Sequence, residues 1–321
     1  MNERDELATA FSQAEDLPAL YRLLDRVKAK NGWAKPTPSL YPQPKQDFLP
    51  AHWKYADMHD ALAAAGRLVG TEWAERRNLI MANPMAGNEY PTVKTLVGAY
   101  QMVKAGERAR SHRHTPNAMR IVVEAAPGTY TIVDGARIPM SPGDVLLTPN
   151  WRYHGHSNEG AEDAYWIDIL DAPLVQLLGP MFFEHHPDQI EAAPIIAERS
   201  PMRFAYVDYR PRLREQPQTK EGVRTLELGA ANVDTFDRFV AQLDQGASWS
   251  NPRSTANVIY TVVEGRGRTE AAGHSFGWCV GDMIAMPSWI EHRHVADSEA
   301  VLLRVSDAPL MRALSWLRTD R

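Results

Sequence analysis

One cysteine, Cys279, is all the chain has in 321 residues. That excludes an internal disulfide and any thiolate-rich metal site, so any metal ligands must be His, Asp or Glu. Long apolar runs are missing too. No stretch approaches about 18 consecutive apolar residues, and no transmembrane helix is expected. Charge of one sign is not concentrated anywhere: the net charge is −5 without a long acidic or basic run, which points away from nucleic acid and anionic membranes. The N-terminal "MNERDELATAF" lacks the apolar segment of a signal peptide, and a cytoplasmic protein is expected. The rest is ordinary globular composition, 44% hydrophobic and 23% charged. The length suits one large domain or two of average size.

Residues 3–29 have apolar positions at helical intervals, with Asp16-Leu17-Pro18 breaking the run in two. The proline-rich "KPTPSLYPQPK" is expected to lie extended over the surface. A second helix fits "ADMHDALAAAGRLV", with Asp57 as candidate N-cap. From about residue 78 short β-rich runs take over, separated by turns such as Asp134-Gly135 and Pro142-Gly143-Asp144, the pattern of an antiparallel sandwich or barrel. Residues 173–220 are mixed, with a short helix near "PLVQLLGPMFF" and a Pro- and Arg-rich linker. The β pattern resumes at about 223 and ends in a helix over 308–318.

The chain repeats itself. "SHRHTPNAMRIVVE" (111–124) returns as "NPRSTANVIYTVVE" (251–264), with six of fourteen positions identical. "GDVLLTPNWRYHGH" (143–156) returns as "GDMIAMPSWIEHRH" (281–294). The interval from Glu124 to His154 is 30 residues, and that from Glu264 to His292 is 28. Two motifs in the same order at nearly the same spacing imply two related β domains. The copies differ where chemistry is expected, since Pro252 and Ser254 replace His112 and His114.

Two histidines two apart on a strand point to one face, as two ligands of one metal require. His154, on a neighbouring strand, is placed to be the third. His156 follows it, as His294 follows His292. Both members of each pair are expected to face one cavity, where the second could serve as acid, base or hydrogen-bond donor. For His52, His59, His185, His186 and His274 a structural or surface role is expected. The second copy lacks a cluster for His292 and His294 to join, so its barrel is expected to be metal-free.

These spacings resemble the cupins: Gly106, five residues, His112-Arg113-His114; then Gly143, five residues, Pro149, His154 and Asn158. The glutamate many cupins add is missing, because 118–120 reads Ala-Met-Arg; Glu124, retained as Glu264 in the second copy, is read as structural. A three-histidine site on octahedral Fe(II) leaves about three positions open. The resemblance implies an all-β core with peripheral helices, built as two tandem cupin (double-stranded β-helix, jelly-roll) barrels. The parts are an N-terminal helical and Pro-rich arm (1–77), a metal-bearing cupin (78–180), a linker (181–222) and a metal-free cupin with a C-terminal helix (223–321).

A bicupin metallated only in its first barrel is similar to the gentisate 1,2-dioxygenase family, with its salicylate-cleaving relatives. The resemblance is tightest in "AERRNLIMANP" (74–84), "AGERARSHRHTPNAMRIVVE" (105–124), "YWIDILDAP" (165–173) and the two Gly-Asp motifs. It implies one Fe(II) per subunit on His112, His114 and His154, and cleavage of a 2-hydroxybenzoate between its carboxyl- and hydroxyl-bearing carbons with O2. Arg76 is implied as partner of the substrate carboxylate, with Arg77 as the weaker substitute. His156, Arg120, Gln101 and Asp168 are implied around the reaction, and Val97 and Ala99 on the pocket wall. Arg120, six residues after His114, is expected on the same strand and on its metal-facing side; Tyr260 replaces it in the second copy. Val97 stands where the family often has an aromatic residue, which implies a pocket altered from that of typical gentisate enzymes; the substrate implied is gentisate or a 5-substituted salicylate such as 5-nitrosalicylate. A homo-oligomer, a tetramer, is also implied. The competing readings are another metal-dependent cupin enzyme, which leaves Arg76 and Arg120 unexplained, and a non-enzymatic ligand-binding bicupin.

Overall fold

The computed structural model describes residues 3–229 and 233–320. Two compact units are present, Met1–Lys45 and Gln46–Arg321. The first holds helices Glu3–Ser12 and Leu17–Arg26. Asp16 breaks the run as expected: its carboxylate accepts the Ala19 N–H at 2.7 Å, which caps the second helix. Residues 34–45, where the prolines cluster, contain neither helix nor strand. No helix among the described residues is long and apolar enough to cross a membrane.

The second unit contains two barrels. The first combines a sheet ordered Arg203–Phe204, Val145–Thr148, Ala118–Glu124, Ala164–Leu170, Val97–Val103, Arg77–Ile80 with one ordered Phe183–His185, Arg108–His114, His154–Asn158, Thr129–Val133, Ala136–Pro139, Ile195–Ile196. The second barrel repeats the first sheet strand for strand as Ala51–Trp53, Met283–Met286, Val258–Glu264, Ala300–Ser306, Asp237–Leu243, Val223–Glu227. Its other sheet has four strands, Ser248–Asn251, His292–Ala296, Arg266–Ala271 and His274–Cys279. This is the bicupin architecture that the repeat implied. The wall strands are buried almost throughout, as in Val97–Val103, because one face lines a barrel interior and the other is covered by packing.

The repeats exchange their leading strands. Ala51–Trp53 precedes the first barrel in sequence but pairs with Met283–Met286 of the second, while Arg203–Phe204 precedes the second barrel and pairs with Val145–Thr148 of the first. The stretch 1–77, read as an arm, therefore supplies a strand to the second barrel. The stretch 181–222, read as a linker, supplies Phe183–His185, Ile195–Ile196 and Arg203–Phe204 to the first. Strands of two or three residues leave no alternation for a sequence reading to detect.

Each exchanged strand leads into a helix, Tyr55–Leu68 or Tyr206–Arg214. Asp57 does not cap the first of these. Lys54 holds the cap position, and the Tyr55 N–H is bound instead by Asp282 of the second barrel at 2.8 Å. Asp144 binds the Tyr206 N–H at the same distance. The aspartate of each Gly-Asp motif thus caps a helix of the other repeat, which satisfies an orphan donor and favours the helix dipole. The tyrosines reach back: Tyr55 Oη donates to Glu124 at 2.8 Å and Tyr206 Oη to Glu264 at 2.5 Å. Glu124 is structural, as expected.

Of three other expectations, two change, and the short helix near 173 is present. Arg120 is not on the strand of His114, because Thr115–Asn117 turn the chain and place Arg120 in the opposite sheet. The helix near 173 is Ala172–Leu178, ended by Gly179 at φ 95°, so Phe183 is free to join a strand. The last helix is Ala308–Ala313, shorter than expected, since Thr319 then turns back to bridge Ser254.

Gly281 has φ +85°, and a Cβ there would lie 2.6 Å from Tyr55 Cγ. Gly281→Ala should destabilise the protein by about 2–4 kcal/mol in chemical denaturation, combining left-handed strain with a clash. Gly106→Ala, at φ +79° with nothing within 4 Å of the added Cβ, should cost only about 1 kcal/mol.

Candidate metal centre and substrate cavity

His112 and His114 lie at the end of Arg108–His114, and His154 opens the neighbouring strand directly opposite His112. The ladder shifts between Ala109 and His112, which brings the His112 and His154 rings to 4.4 Å between centroids. The His114 ring lies 4.8 Å from that of His154. Trp151, in a left-handed turn at φ 61°, donates its N–H to the His114 carbonyl at 2.9 Å and ties together the two loops that carry the histidines. One nitrogen of each ring falls within 4.8 Å of the other two.

All three Nδ1 atoms face backbone carbonyls two residues away: Arg110 at 3.3 Å, Pro116 at 2.8 Å and Arg152 at 3.0 Å. A carbonyl only accepts, so each Nδ1 carries the proton and each Nε2 keeps its lone pair for a metal. Burial lowers the pKa of all three, that of His112 to about 3, and the nearby Arg76 cation pushes in the same direction. Neutral imidazoles with fixed tautomers fit a divalent first-row metal, and no carboxylate among the described residues joins the cluster.

The histidines line a cavity of about 200 Å³. Of the residues expected around it, Arg76, Val97, Ala99, Gln101, Arg120 and Asp168 all lie on its wall, and His156 does not. His156 shares a sheet face with His154 but sits behind the Arg120 guanidinium, which donates from Nη1 to His156 Nδ1 at 2.8 Å. Because arginine cannot accept, the His156 proton is on Nε2, a buried donor with no partner among the described residues. Burial, reinforced by Arg120, holds the His156 pKa well below its ordinary value. The ring can donate a hydrogen bond but is not a proton acceptor in this tautomer.

Arg120 is fully engaged. Its Nε lies 3.1 Å from Asp168 Oδ1, Nη1 also reaches Thr131 at 2.8 Å, and Gln101 Nε2 donates to Asp168 Oδ2 at 2.6 Å. Removing either member of such a buried pair would strand the other charge. Arg77 is occupied elsewhere, on the Val69 carbonyl and Glu107. Arg76 differs from both: it has no carboxylate partner among the described residues, and its buried Nε makes no hydrogen bond. It is an uncompensated cation on the wall of the histidine cavity.

Sequence reasoning missed Asn78, Tyr90, Leu170 and Phe183, which also line the cavity. The Phe183 ring stacks 5.1 Å from His112. The Gly179-Pro180 stop before two aromatics was the available signal for it.

In the second barrel His292 keeps the Nδ1 bond to the carbonyl two residues back, Ile290 at 3.2 Å, but its Nε2 accepts the Tyr260 hydroxyl at 2.8 Å. His294 Nδ1 and Thr269 Oγ1 share a hydrogen bond of 2.7 Å. The described residues of this barrel form no metal-ligating cluster.

Fold and site together define a bicupin with a three-histidine metal-binding site in its first barrel. The profile of the Cupin domain matches residues 99–170, the barrel that bears the histidines. The 5-aminosalicylate 1,2-dioxygenase of a Comamonas species is 32% identical over 99% of this chain and 92% of its own length. The gentisate 1,2-dioxygenase of a Ralstonia species is 30% identical over 97% of each chain. The crystal structure of salicylate 1,2-dioxygenase from Pseudaminobacter salicylatoxidans superposes with a TM-score of 0.87, at 29% identity, over 96% of this chain and 99% of that one. The chain belongs to the gentisate 1,2-dioxygenase-type family of bicupins, aromatic ring-cleaving dioxygenases.

His112→Ala should abolish metal loading, read by elemental analysis, with the circular dichroism spectrum unchanged. His292→Gln should load metal normally; an equal loss there would contradict a metal-free second barrel. The same variant tests a pH effect. Burial lowers the His292 pKa to about 4, below the unfolded value of about 6.5. Its contribution is therefore complete above about pH 6.5 and lost as pH falls towards 4, roughly 3 kcal/mol in all. Stability should fall less steeply over that window in His292→Gln than in the wild type.

Proposed function

We propose that the protein is an Fe(II)-dependent 1,2-dioxygenase that cleaves gentisate or a 5-substituted salicylate between its carboxyl- and hydroxyl-bearing carbons. The observation that carries the substrate class is Arg76, a guanidinium without a carboxylate partner among the described residues, beside three neutral imidazoles. An aromatic carboxylate satisfies it through charge-assisted hydrogen bonds.

His112, His114 and His154 would hold the iron through Nε2, and what Fe(II) supplies when bound is activation of O2 beside a chelated 2-hydroxybenzoate. Arg76 binds and orients the anion. Arg120 is held by Asp168, Thr131 and His156, so it presents a fixed wall and a fixed field instead of a mobile cation. Gln101 steadies Asp168, and its own Oε1 is buried without a partner. His156 acts as a positioning residue, through the hydrogen bond it accepts from Arg120. Val97 and Ala99 leave room at the wall for a ring substituent, and the similarity to a 5-aminosalicylate 1,2-dioxygenase supports that branch. A cytoplasmic homo-oligomer, a tetramer, completes the reading. The exposed Leu177, Leu178 and Phe182 offer apolar surface for subunit contact.

The experiment is oxygen uptake by the iron-loaded protein offered gentisate, salicylate, 5-aminosalicylate and 5-nitrosalicylate separately. Uptake with at least one, with an ultraviolet product band, is expected; none with any, from protein shown to hold iron, overturns the reading. Arg76→Met should raise KM about 10- to 100-fold, whereas Arg77→Met should act on stability. Val97→Phe should slow the 5-substituted substrates more than salicylate.

A further inference from the structure

The second barrel has lost its metal ligands but not its hollow. A cavity of about 270 Å³ occupies the position equivalent to the metal cavity. The ladders show the correspondence: Arg304 pairs with Phe239 and Tyr260 in the second barrel, as Asp168 pairs with Ala99 and Arg120 in the first. His292 stands in the place of His154 and is silenced as a ligand by the Tyr260 hydroxyl.

The chemistry of the wall has been inverted. Arg304 replaces Asp168, and Arg312 adds a second guanidinium from the helix Ala308–Ala313. Asp237 is the carboxylate among the lining residues, and it takes Arg304 Nη1 at 3.0 Å. Two guanidinium groups against one carboxylate leave the cavity one positive charge in excess. Phe239 contributes an aromatic ring, 5.0 Å from the Arg304 guanidinium. Protein interiors are normally filled to crystal density, and a cavity of about 150 Å³ already admits a benzene ring. A barrel kept for architecture alone has no need of this space or this charge.

We propose that the second barrel is a metal-free binding site for a small aromatic monocarboxylate, its carboxylate received by Arg304 and Arg312 and its ring by Phe239. The ligand class follows from this cavity alone and does not depend on what the first barrel cleaves.

The test uses the full chain carrying Arg76→Met and His112→Ala, which disables the first cavity, titrated with 4-fluorobenzoate and followed by fluorine NMR. One equivalent is expected to bind. Arg312→Glu, at an exposed side chain whose loss spares the fold, should weaken binding about tenfold or more. Arg304→Met should do the same. In crystals of the unmutated protein soaked with 4-bromobenzoate, a bromine anomalous peak is expected inside the second barrel. No binding by the doubly substituted chain overturns the proposal, as does binding indifferent to both arginine changes or bromine found only in the first barrel. Oxygen uptake tests the first barrel separately, so failure of either reading is recognised on its own.

Discussion

Two carboxylates, Asp144 and Asp282, determine how the molecule is put together. Each sits behind a glycine with positive φ, is buried, and accepts the first N–H of a helix from the other repeat. The second oxygen of each also accepts: Asp144 from Arg203 Nε at 2.8 Å and Asp282 from the His52 ring at 2.9 Å. A buried carboxylate is tolerated only when its lone pairs are filled. These contacts therefore fix the exchanged strands against their sheets and set the two barrels in one arrangement. The metal cavity inherits its geometry from that arrangement, because its wall strand Val97–Val103 starts beside Thr95. Thr95 donates to Asp307 of the second barrel at 2.5 Å, as Thr235 donates to Asp171 of the first.

This explains which residues the two copies share. Arg113 pairs with Glu184, and Arg253 with Asp320. Thr115 Oγ1 accepts the Phe182 N–H, and Thr255 Oγ1 that of Arg318. Asn117 binds Asp171 and the turn at Asn150; Asn257 binds Asp307 and the turn at Ser288. Glu124 and Glu264 hold the two tyrosines. Every one of these is a tie between segments far apart in the chain, and none of these residues lines either cavity. The positions free to differ face the cavities, and there the copies have diverged into a histidine cluster and an arginine pocket.

The repeat, the barrels and the three histidines were legible because their signals are local: period-two spacing, glycines at turns, and residue types with few other uses at that spacing. Depth was not legible. Alternation places His156 on the face of His154, but only the folded chain shows the Arg120 guanidinium standing between it and the cavity. The partners of Arg120 were hidden for a similar reason, since Thr131 is on the next strand but in the opposite sheet, and Asp168 is on a strand further along the chain. The choice between Arg76 and Arg77 turned on the Val69 carbonyl and Glu107, which claim Arg77 from outside its own strand. Asp57 carried the local signature of a cap and lost to Asp282, more than two hundred residues away.

The exchange of leading strands is the arrangement of a swapped homodimer, in which each subunit completes its neighbour. A protein of one repeat built this way would depend on its own concentration, falling apart on dilution. With both repeats in a single chain, the partner is always present at an effective concentration on the order of millimolar. Joining also removes the symmetry that forces two subunits to be alike. One half can then give up its histidine cluster while the other keeps it, which two copies of an identical chain cannot do.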